Sequence, residues 1–392
     1  MRAAFKAVGF ALVLLLLAAA GFAWVNREEV GRLWAVQKLF SPDRIVWNFT
    51  HMGELFYAVP LDLGRQDVVG VVPEGMAVDL PPGAEAVIAE RRITGIMVLS
   101  DGAVSHESYY LGTGPEDLRI SWSVAKSFMS ALIGILIDDG VIESLDDPVT
   151  HYAPSLQGTG YDGASVRDVL WMASGLEFDE TYSDFWSDIS RMGRVLALGG
   201  SLDLFTRSFE ATVAPPGTEW HYVSIDTQVL GLVIRGATGQ PVAEVMAERL
   251  LAPMGVAPGP YLLTDAHGTG FVMGGLNMRL RDYALFGLMF QQDGRLGERR
   301  LVPWEWVEES TRPSAPTEPG ALRYGYHWWM PRDGEGEALA FGIYGQYIYI
   351  NREASVVIAA SGADPDFRRP EVRGGMIDWF REITRANLEA RE

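Results

Sequence analysis

Cysteine is absent from this chain of 392 residues. Its absence excludes disulfides, thiolate zinc sites and cysteine nucleophiles. Histidine is scarce: the six histidines are scattered and form no H-E-x-x-H motif, so we predict no catalytic metal. The stretch LGTGP at 111–115 lacks the lysine and the helix that a phosphate-binding loop needs. We therefore predict a protein without a metal or other cofactor.

Lysine is also rare, since three lysines stand beside 29 arginines. The net charge at pH 7 is −19. This charge argues against nucleic acid as a partner, because no basic patch is available to neutralise phosphates. A soluble, self-repelling surface is the simplest interpretation of the acidity. A preference for cationic substrates is the alternative.

One of the three lysines, Lys126, lies in SWSVAKSF, three residues after Ser123. Lysine can lose its proton and act as a base, whereas arginine cannot. The apolar run that follows, ending at Gly140, predicts a buried helix on which the two side chains share a face. Burial and the positive helix end disfavour a charged lysine. Lys126 can then activate the Ser123 hydroxyl, and free N–H groups of the first turn can hold an oxyanion.

The N-terminus carries an uncharged apolar run from Ala7 to Val25, preceded by Arg2 and Lys6. At about 1.5 Å per residue this run just spans a bilayer core. The positive flank should stay in the cytoplasm and the remainder should cross. Small residues at Ala20 and Ala23 would suit a signal peptidase. We therefore expect export, with the chain either anchored in the cytoplasmic membrane and facing the periplasm or outside, or secreted after cleavage.

Strand signals lie at both ends of the remaining chain, and helical patterns lie between them. The segment 84–114 has apolar runs broken by turn signals and predicts two or three strands. The segment 341–362 predicts a hairpin that turns at NREA, and the C-terminus predicts an amphipathic helix. This order indicates an α+β fold in which an antiparallel sheet is flanked by terminal helices and an all-helical lobe is inserted.

The pattern divides the chain into three parts. We predict a signal anchor or signal peptide over 1–25, a lead-in over 26–72, and one domain over 73–392, with its α+β lobe at 73–120 plus 272–392 and its helical lobe at 121–271.

Several ordered motifs resemble one known family. SVAKS with its apolar helix, DDPVTHYAPSL, SVRDVLWMASGL and PPGTEWHYVSIDTQVLGLVIRGATG are similar to the serine hydrolases related to class C β-lactamases and penicillin-binding proteins. The resemblance runs from about residue 75 to the C-terminus. GLEFDETYSD and FGIYGQYIYI most resemble the branch of 6-aminohexanoate-dimer (nylon-oligomer) hydrolase. The resemblance implies a β-lactamase/transpeptidase-like fold.

The resemblance also implies catalytic roles. Ser123 would be the acylated nucleophile and Lys126 its base. Tyr222, in the stretch HYVS, would pass a proton to the leaving group with help from Lys126. Ser224 stands where many relatives have asparagine and would contact substrate.

The family's third motif, Lys-Thr-Gly or His-x-Gly on an edge strand, would be Ile343-Tyr344-Gly345 here. The glycine is kept, so the resemblance implies an oxyanion hole made of the backbone N–H groups of Ser123 and Gln346. The cationic or imidazole partner is lost. Tyr344 and Gly345 are candidate substrate contacts, and a strand residue beside a glycine bulge is the alternative.

Two further candidates concern substrate binding. The segment FDETYSDFW resembles a loop of the nylon-oligomer branch whose tyrosine closes over the substrate and meets the amide N–H, which would make Tyr182 that residue. Aromatic packing beside Phe178, Phe185 and Trp186 is the alternative. Asn277 is a candidate pocket residue, which a turn asparagine explains equally well.

We therefore predict a serine hydrolase that cleaves a small amide or ester through an acyl-enzyme. A β-lactamase or D-amino-acid peptidase is the first alternative. A peptidoglycan or antibiotic sensor that is acylated without turnover, or a degenerate structural relative, is the alternative of another class. The expected partners are the small-molecule substrate and, through the N-terminal segment, a membrane.

Overall fold

The computed structural model describes residues 2–64, 70, 72–316 and 321–392. The helices are α1 Arg2–Val25, α2 Arg27–Lys38, α3 Ile45–Thr50, α4 Met52–Leu55, α5 Ala84–Glu90, α6 Ala125–Asp138, α7 Val149–Tyr152, α8 Val166–Leu170, α9 Asp188–Ala197, α10 Leu202–Thr206, α11 Ile225–Thr238, α12 Val242–Met246, α13 Ala252–Met254, α14 Leu280–Gln291, α15 Trp304–Ser310 and α16 Pro370–Glu389. The strands are β1 Ala58–Pro60, β2 Ile93–Ser100, β3 Ala103–Tyr109, β4 Arg119–Ile120, β5 Tyr261–Leu263, β6 Leu276–Met278, β7 Arg295–Leu296, β8 Arg299–Arg300, β9 Leu322–Tyr324, β10 Trp329–Pro331, β11 Glu337–Gly342, β12 Gln346–Asn351 and β13 Val356–Gly362. Short 3₁₀ turns cover Trp122–Val124 and Pro154–Leu156, and a π turn covers Ala247–Leu251.

An antiparallel sheet of seven strands, in the order β3-β2-β13-β12-β11-β10-β9, forms the base of the molecule. The two ends of the chain meet in it, because β2 pairs with β13 and places Val98 opposite Ile358. One face is covered by α16, whose Phe380 is fully buried against the sheet. The other face is covered by α14. A Cβ on Gly287 of α14 would lie 2.6 Å from the Val357 side chain, so glycine permits the close approach.

The helices between β4 and β5 form a second layer around α6. Every residue from 125 to 136 in α6 is buried, and α6 packs against α11. Close packing continues at Gly236 of α11, where a Cβ would lie 1.8 Å from the Tyr152 carbonyl oxygen. The predicted α+β architecture with an inserted helical region is confirmed. The lobe boundaries stay a prediction.

Two segments differ from the prediction. Residues 84–90, predicted as strand, form helix α5, because alanine and glutamate favour a helix over a strand. The lead-in contains helices α2, α3 and α4, and its strand β1 pairs with β5, with Val59 opposite Leu262. The lead-in is therefore joined to the rest of the fold. Its residues 65–69 and 71 lie outside the described residues.

The predicted membrane segment falls in α1, Arg2–Val25. In the described parts of the chain, no helix has the length and apolar character needed to cross a membrane. The anchor and the export stay predictions.

Candidate active site

Ser123 lies in the 3₁₀ turn that leads into α6, at a strained point of the backbone. The preceding residue, Trp122, has φ +43°, a left-handed backbone conformation that residues other than glycine rarely adopt. Such strain tends to occur where the surrounding structure fixes a functional residue. The end of β11 packs against this turn, since a Cβ on Gly342 would lie 2.7 Å from the Ser121 carbonyl oxygen. Ser123 is thereby held between the helical layer and the sheet.

Lys126 is almost completely buried, with 2% of its surface exposed. Its Nζ donates to Ser123 Oγ at 3.1 Å and to the Met273 carbonyl oxygen at 2.8 Å. Burial lowers the pKa of Lys126 to about 8, while the charges of Glu180 and Asp226 oppose that shift. An amine with this pKa is partly neutral near pH 7, whereas an unperturbed lysine is not. Lys126 can therefore accept the proton of Ser123.

Tyr222 faces the same pair of residues. Its ring centre lies 5.6 Å from Lys126 Nζ, and its phenol is near the side chains of Ser123 and Ser224. Burial, reinforced by the negative charge of Glu180, raises the pKa of Tyr222, and the two neighbouring serine side chains oppose this rise. The phenol is therefore protonated at neutral pH. It can donate a proton to a group bound at Ser123.

Glu180, which the sequence did not single out, connects three parts of the site. Its carboxylate accepts the Ser224 backbone N–H at 2.9 Å, the Ser224 hydroxyl at 2.5 Å and the Tyr182 hydroxyl at 2.9 Å. Ser224 directly precedes α11, so the negative charge lies at a helix N-terminus, which favours it. In the sequence, the one available indication of this role was that Glu180 lies two positions before the candidate residue Tyr182. Through these hydrogen bonds, Glu180 holds the loop that contains Tyr182 against the N-terminus of α11, just after Tyr222.

Two buried titratable residues lie behind Lys126. Asp226 is fully buried and accepts hydrogen bonds from Tyr161 and Ser174, and burial raises its pKa to about 7. Burial, together with the charge of Lys126, holds the pKa of His327 well below its usual range, so its imidazole is neutral. Among the residues that the structure describes, no three His, Asp or Glu side chains are grouped to hold a metal ion.

A cavity of about 310 Å³ opens onto Ser123 and Lys126. Tyr182, Ser224 and Ile343 line it beside the reacting pair. The lead-in side chains Val36, Leu39, Phe40, Met52 and Phe56 also line it. The sequence did not predict this role for the lead-in. The spacing of Val36, Leu39 and Phe40, at i, i+3 and i+4, was the signal for an apolar face, which runs from the last turn of α2 into the turn that follows Lys38.

The third motif is placed differently from the prediction. Residues 343–345 form the turn between β11 and β12, and β11 lies between β10 and β12 and so is not an edge strand. Tyr344, with φ +60°, stacks on Phe40 at 4.7 Å between ring centres, and Gly345 has φ +86°. Neither residue lines the cavity.

Gln346 also lies away from the cavity. Its side chain donates to the Gly362 carbonyl oxygen at 2.9 Å, and it borders a separate small cavity instead. Ile343 is the residue of this turn that lines the cavity beside Ser123. The order of the turn residues along the chain does not reveal which backbone N–H faces the nucleophile, because this depends on the turn conformation.

Asn277 lies in a strand rather than in a turn. It is fully buried in β6, opposite Ile120 and Tyr261, and its Nδ2 donates to the Gly275 carbonyl oxygen at 2.8 Å. It does not line the cavity. The structure therefore brings together five of the predicted residues: Ser123, Lys126, Tyr222, Ser224 and Tyr182. The other four, Asn277, Tyr344, Gly345 and Gln346, lie outside the lining of the cavity.

Several known proteins are similar to this chain. The family model described as Beta-lactamase matches residues 84–372. A 6-aminohexanoate-dimer hydrolase of Paenarthrobacter ureafaciens is 30% identical over 342 residues, which cover 82% of this chain and 86% of that protein. A Bacillus anthracis structure assigned to the 6-aminohexanoate-dimer hydrolases matches with a TM-score of 0.76 and 22% identity, covering 90% of this chain and 96% of that one.

A third similarity is to an octameric penicillin-binding protein homologue from Pyrococcus abyssi, with a TM-score of 0.59, 22% identity and 72% coverage of both chains. At these identities the two structures show the fold, whereas the family model and the Paenarthrobacter relative show the family. The resemblance found in the motifs is confirmed: the chain is a serine hydrolase that belongs to the β-lactamase family.

Proposed function

We propose that this hydrolase cleaves a small amide or ester through an acyl-enzyme on Ser123. The distance of 3.1 Å between Lys126 Nζ and Ser123 Oγ carries the proposal, because it joins a buried lysine of lowered pKa to a hydroxyl that lines the cavity. A base that is partly neutral near the working pH is what such a hydroxyl needs. The 30%-identical relative bears the name of an amide hydrolase, which supports the same chemistry.

The proposed reaction uses three side chains. Neutral Lys126 takes the Ser123 proton as Oγ attacks the substrate carbonyl carbon. Tyr222 gives its proton to the leaving nitrogen or oxygen as the C–N or C–O bond breaks, and Lys126 returns a proton to Tyr222. Water then adds to the acyl-enzyme with the same groups acting as base and acid, which releases the carboxylic acid and restores Ser123.

The oxyanion of the tetrahedral intermediate needs backbone donors. The N–H of Ser123 is the first donor, as the sequence predicted. For the second we propose the N–H of Ile343 in place of Gln346, because Ile343 lines the cavity and the adjacent Gly342 packs against Ser121 and Trp122. Two fixed donors in a water-poor site stabilise the developing charge.

The alternatives differ from the proposal in substrate or in turnover. A β-lactamase or D-amino-acid peptidase would use the same three side chains. A sensor would be acylated at Ser123 and would fail at deacylation.

Intact mass after treatment with a fluorophosphonate tests the nucleophile. We expect one adduct on the parent protein and none on Ser123→Ala. Steady-state hydrolysis of a chromogenic ester then tests turnover. Continuous release of product supports the hydrolase, whereas a single burst equal to the enzyme concentration would favour the sensor.

A further inference from the structure

The cavity beyond Ser123 extends farther than the reacting groups require, and its wall is apolar. Leu39, Met52 and Phe56 of the lead-in face Ile189, Met192 and Leu196 of α9. The two walls touch, since a Cβ on Gly193 of α9 would lie 3.9 Å from Val36 Cγ1. Burial of a methylene in such a space is favourable, whereas burial of an unpaired polar group is not.

We propose that this cavity binds the acyl part of the substrate and selects an uncharged, linear aliphatic chain of about six to ten carbons. The inference rests on the proposed function, because it assigns the substrate class of the same acyl-enzyme site. The length follows from volume: a methylene is about the size of a water molecule, which takes ~30 Å³ in the liquid. A cavity of about 310 Å³, part of which belongs to the reacting groups, therefore holds a chain of medium length and no long one.

The charges on the wall exclude a charged chain end. Lys126 and Arg194 are the charged side chains among the described residues that line the cavity, and no carboxylate lines it. Arg194 is engaged, because it donates to the Phe185 carbonyl oxygen at 2.6 Å and lies 4.0 Å from the centre of the Phe185 ring. A substrate ammonium would therefore lose its hydration without gaining a carboxylate, because the other polar side chains of the lining are neutral: Gln37, Ser183, Ser190, Ser224 and Thr264.

The position of Tyr222 assigns the cavity to the acyl side. The leaving group must face the phenol that protonates it, and Tyr222 lies outside the cavity lining. Tyr182, the partner assigned to a leaving amide N–H, lines the cavity at this same end, because Glu180 joins its hydroxyl to that of Ser224. Ile343, whose backbone is the proposed second oxyanion donor, lies inside that lining. With the carbonyl oxygen at this donor and the leaving group at Tyr222, the remaining substituent of the carbonyl carbon points into the cavity.

A series of p-nitrophenyl esters from acetyl to tetradecanoyl tests the chain length. We expect kcat/KM to rise by up to about fourfold per methylene, to peak between six and ten carbons, and to fall once the cavity is full. A flat profile, or a maximum at acetate, would overturn the proposal.

A matched pair of esters tests the charge. Heptanoyl and 6-aminohexanoyl chains have the same length and differ in a terminal methyl against an ammonium. We expect the heptanoyl ester to be preferred at least tenfold in kcat/KM at pH 7. A preference for the aminohexanoyl ester would contradict the proposal, because it would require a carboxylate partner in the wall.

Cavity-filling variants test the location. Leu39→Trp should move the optimum toward shorter chains and lower the octanoyl-to-acetyl ratio at least tenfold. Leu204→Trp is the matched control at an exposed position, with 64% of Leu204 exposed, and should leave the ratio unchanged. Met192→Phe on the facing helix is a second blocking variant if Leu39→Trp does not fold. An unchanged ratio in both folded blocking variants would place the chain elsewhere.

Esters that differ only in the alcohol test whether the cavity binds the acyl chain or the leaving group. Octanoate esters of ethanol and of octanol should react at similar rates, and a strong preference for the longer alcohol would assign the cavity to the leaving group and overturn the proposal. Failure of the proposed function would look different: no ester of any length would turn over and Ser123 would not be labelled. Turnover that depends on Ser123 and ignores acyl length would leave the hydrolase standing and remove this inference alone.

Discussion

Ser123 and Lys126 lie three residues apart, one in the 3₁₀ turn before α6 and the other in the first turn of α6, whereas the apolar wall of the cavity comes from the lead-in and from α9, which are far apart in the chain. The pair is fixed by local geometry: the 3₁₀ turn at Trp122–Val124 continues directly into α6. The wall exists only after α2 and α9 have packed together.

This difference suggests that the two parts of the site have different tasks: the reacting pair carries out the reaction, and the cavity wall selects the substrate. A base must stay within hydrogen-bond reach of its nucleophile, and here both lie on one continuous stretch of backbone, the 3₁₀ turn and the buried first turn of α6. The wall has only to offer apolar surface of suitable shape, and substitutions there change volume without moving Lys126. Changes at the pair should therefore alter the rate for every substrate, and changes at the wall or the Tyr182 loop should alter preference among substrates.

The largest effect is expected for the reacting pair. Ser123→Ala should abolish acylation, and Lys126→Arg should lower kcat/KM by roughly 10²-fold or more, because arginine keeps the charge and cannot become the base. The measurement is steady-state hydrolysis of p-nitrophenyl acetate and of an amide. Lys38→Arg, at an exposed position of the lead-in, is the matched control and should retain full activity. A Lys126→Arg enzyme with most of its activity would refute the assignment of the base.

The next effect concerns β-lactams. No lysine follows Lys126 in the chain, so the third motif lacks the cation that holds the antibiotic's carboxylate in relatives. Without a charge-assisted hydrogen bond worth ~1.5–3 kcal/mol, benzylpenicillin should bind about ten- to a hundredfold more weakly. Slow or absent hydrolysis of benzylpenicillin beside rapid ester hydrolysis is the expected result.

One arginine lies where it could replace the missing cation and so make that prediction fail. Arg373 of α16 lies 5.0 Å from the centre of the Phe341 ring, and its positive charge acts on Tyr222. If benzylpenicillin is hydrolysed efficiently and Arg373→Met removes that activity alone, Arg373 replaces the missing cation.

The sequence predicted the parts of the site that depend on local order. Ser123 and Lys126 needed only helical spacing and the apolar run that follows them, and the β12–β13 hairpin needed only its turn. Gln346, the predicted second oxyanion donor, does not line the cavity whereas Ile343 does, and the sequence could not show this because it depends on the conformation of the turn at 343–345, with φ +60° at Tyr344. The contribution of Leu39 to the cavity depends on tertiary packing, which no single stretch of sequence contains.

A smaller effect is expected at Tyr182, which belongs to the selective half of the site. Its hydroxyl donates to Glu180, so an oxygen lone pair is left to accept the N–H of an amide substrate. One hydrogen bond realised in the transition state is worth about 1–2 kcal/mol. Tyr182→Phe should therefore slow amide hydrolysis roughly five- to thirtyfold and leave a p-nitrophenyl ester nearly unchanged, since an activated ester has no N–H to hold. An equal loss on both substrates would assign Tyr182 to packing, beside Arg368, whose guanidinium lies 4.6 Å from the centre of its ring.

The smallest effect is expected at Glu180, which connects the reacting pair to the Tyr182 loop. Its carboxylate holds the Tyr182 loop, and its negative charge raises the pKa of Lys126 against the larger lowering by burial. Because Lys126 must be neutral to act, kcat/KM of the parent should rise with pH through about 8. Glu180→Gln removes the charge and keeps an acceptor, so the pKa of Lys126 should fall and the acid limb of the profile should move to lower pH.

The pH profile separates this charge effect from simple damage to the loop. Disorder of the Tyr182 loop would lower the rate at every pH without moving the limb, whereas loss of the charge moves the limb. Glu210→Gln, an exposed carboxylate of the same helical region, should leave the profile in place. A Glu180→Gln profile that coincides with the parent, or shifts to higher pH, would show that the Tyr182 loop does not influence the base electrostatically. The reacting pair and the selective wall would then be independent, and the link between them through Glu180 would be purely structural.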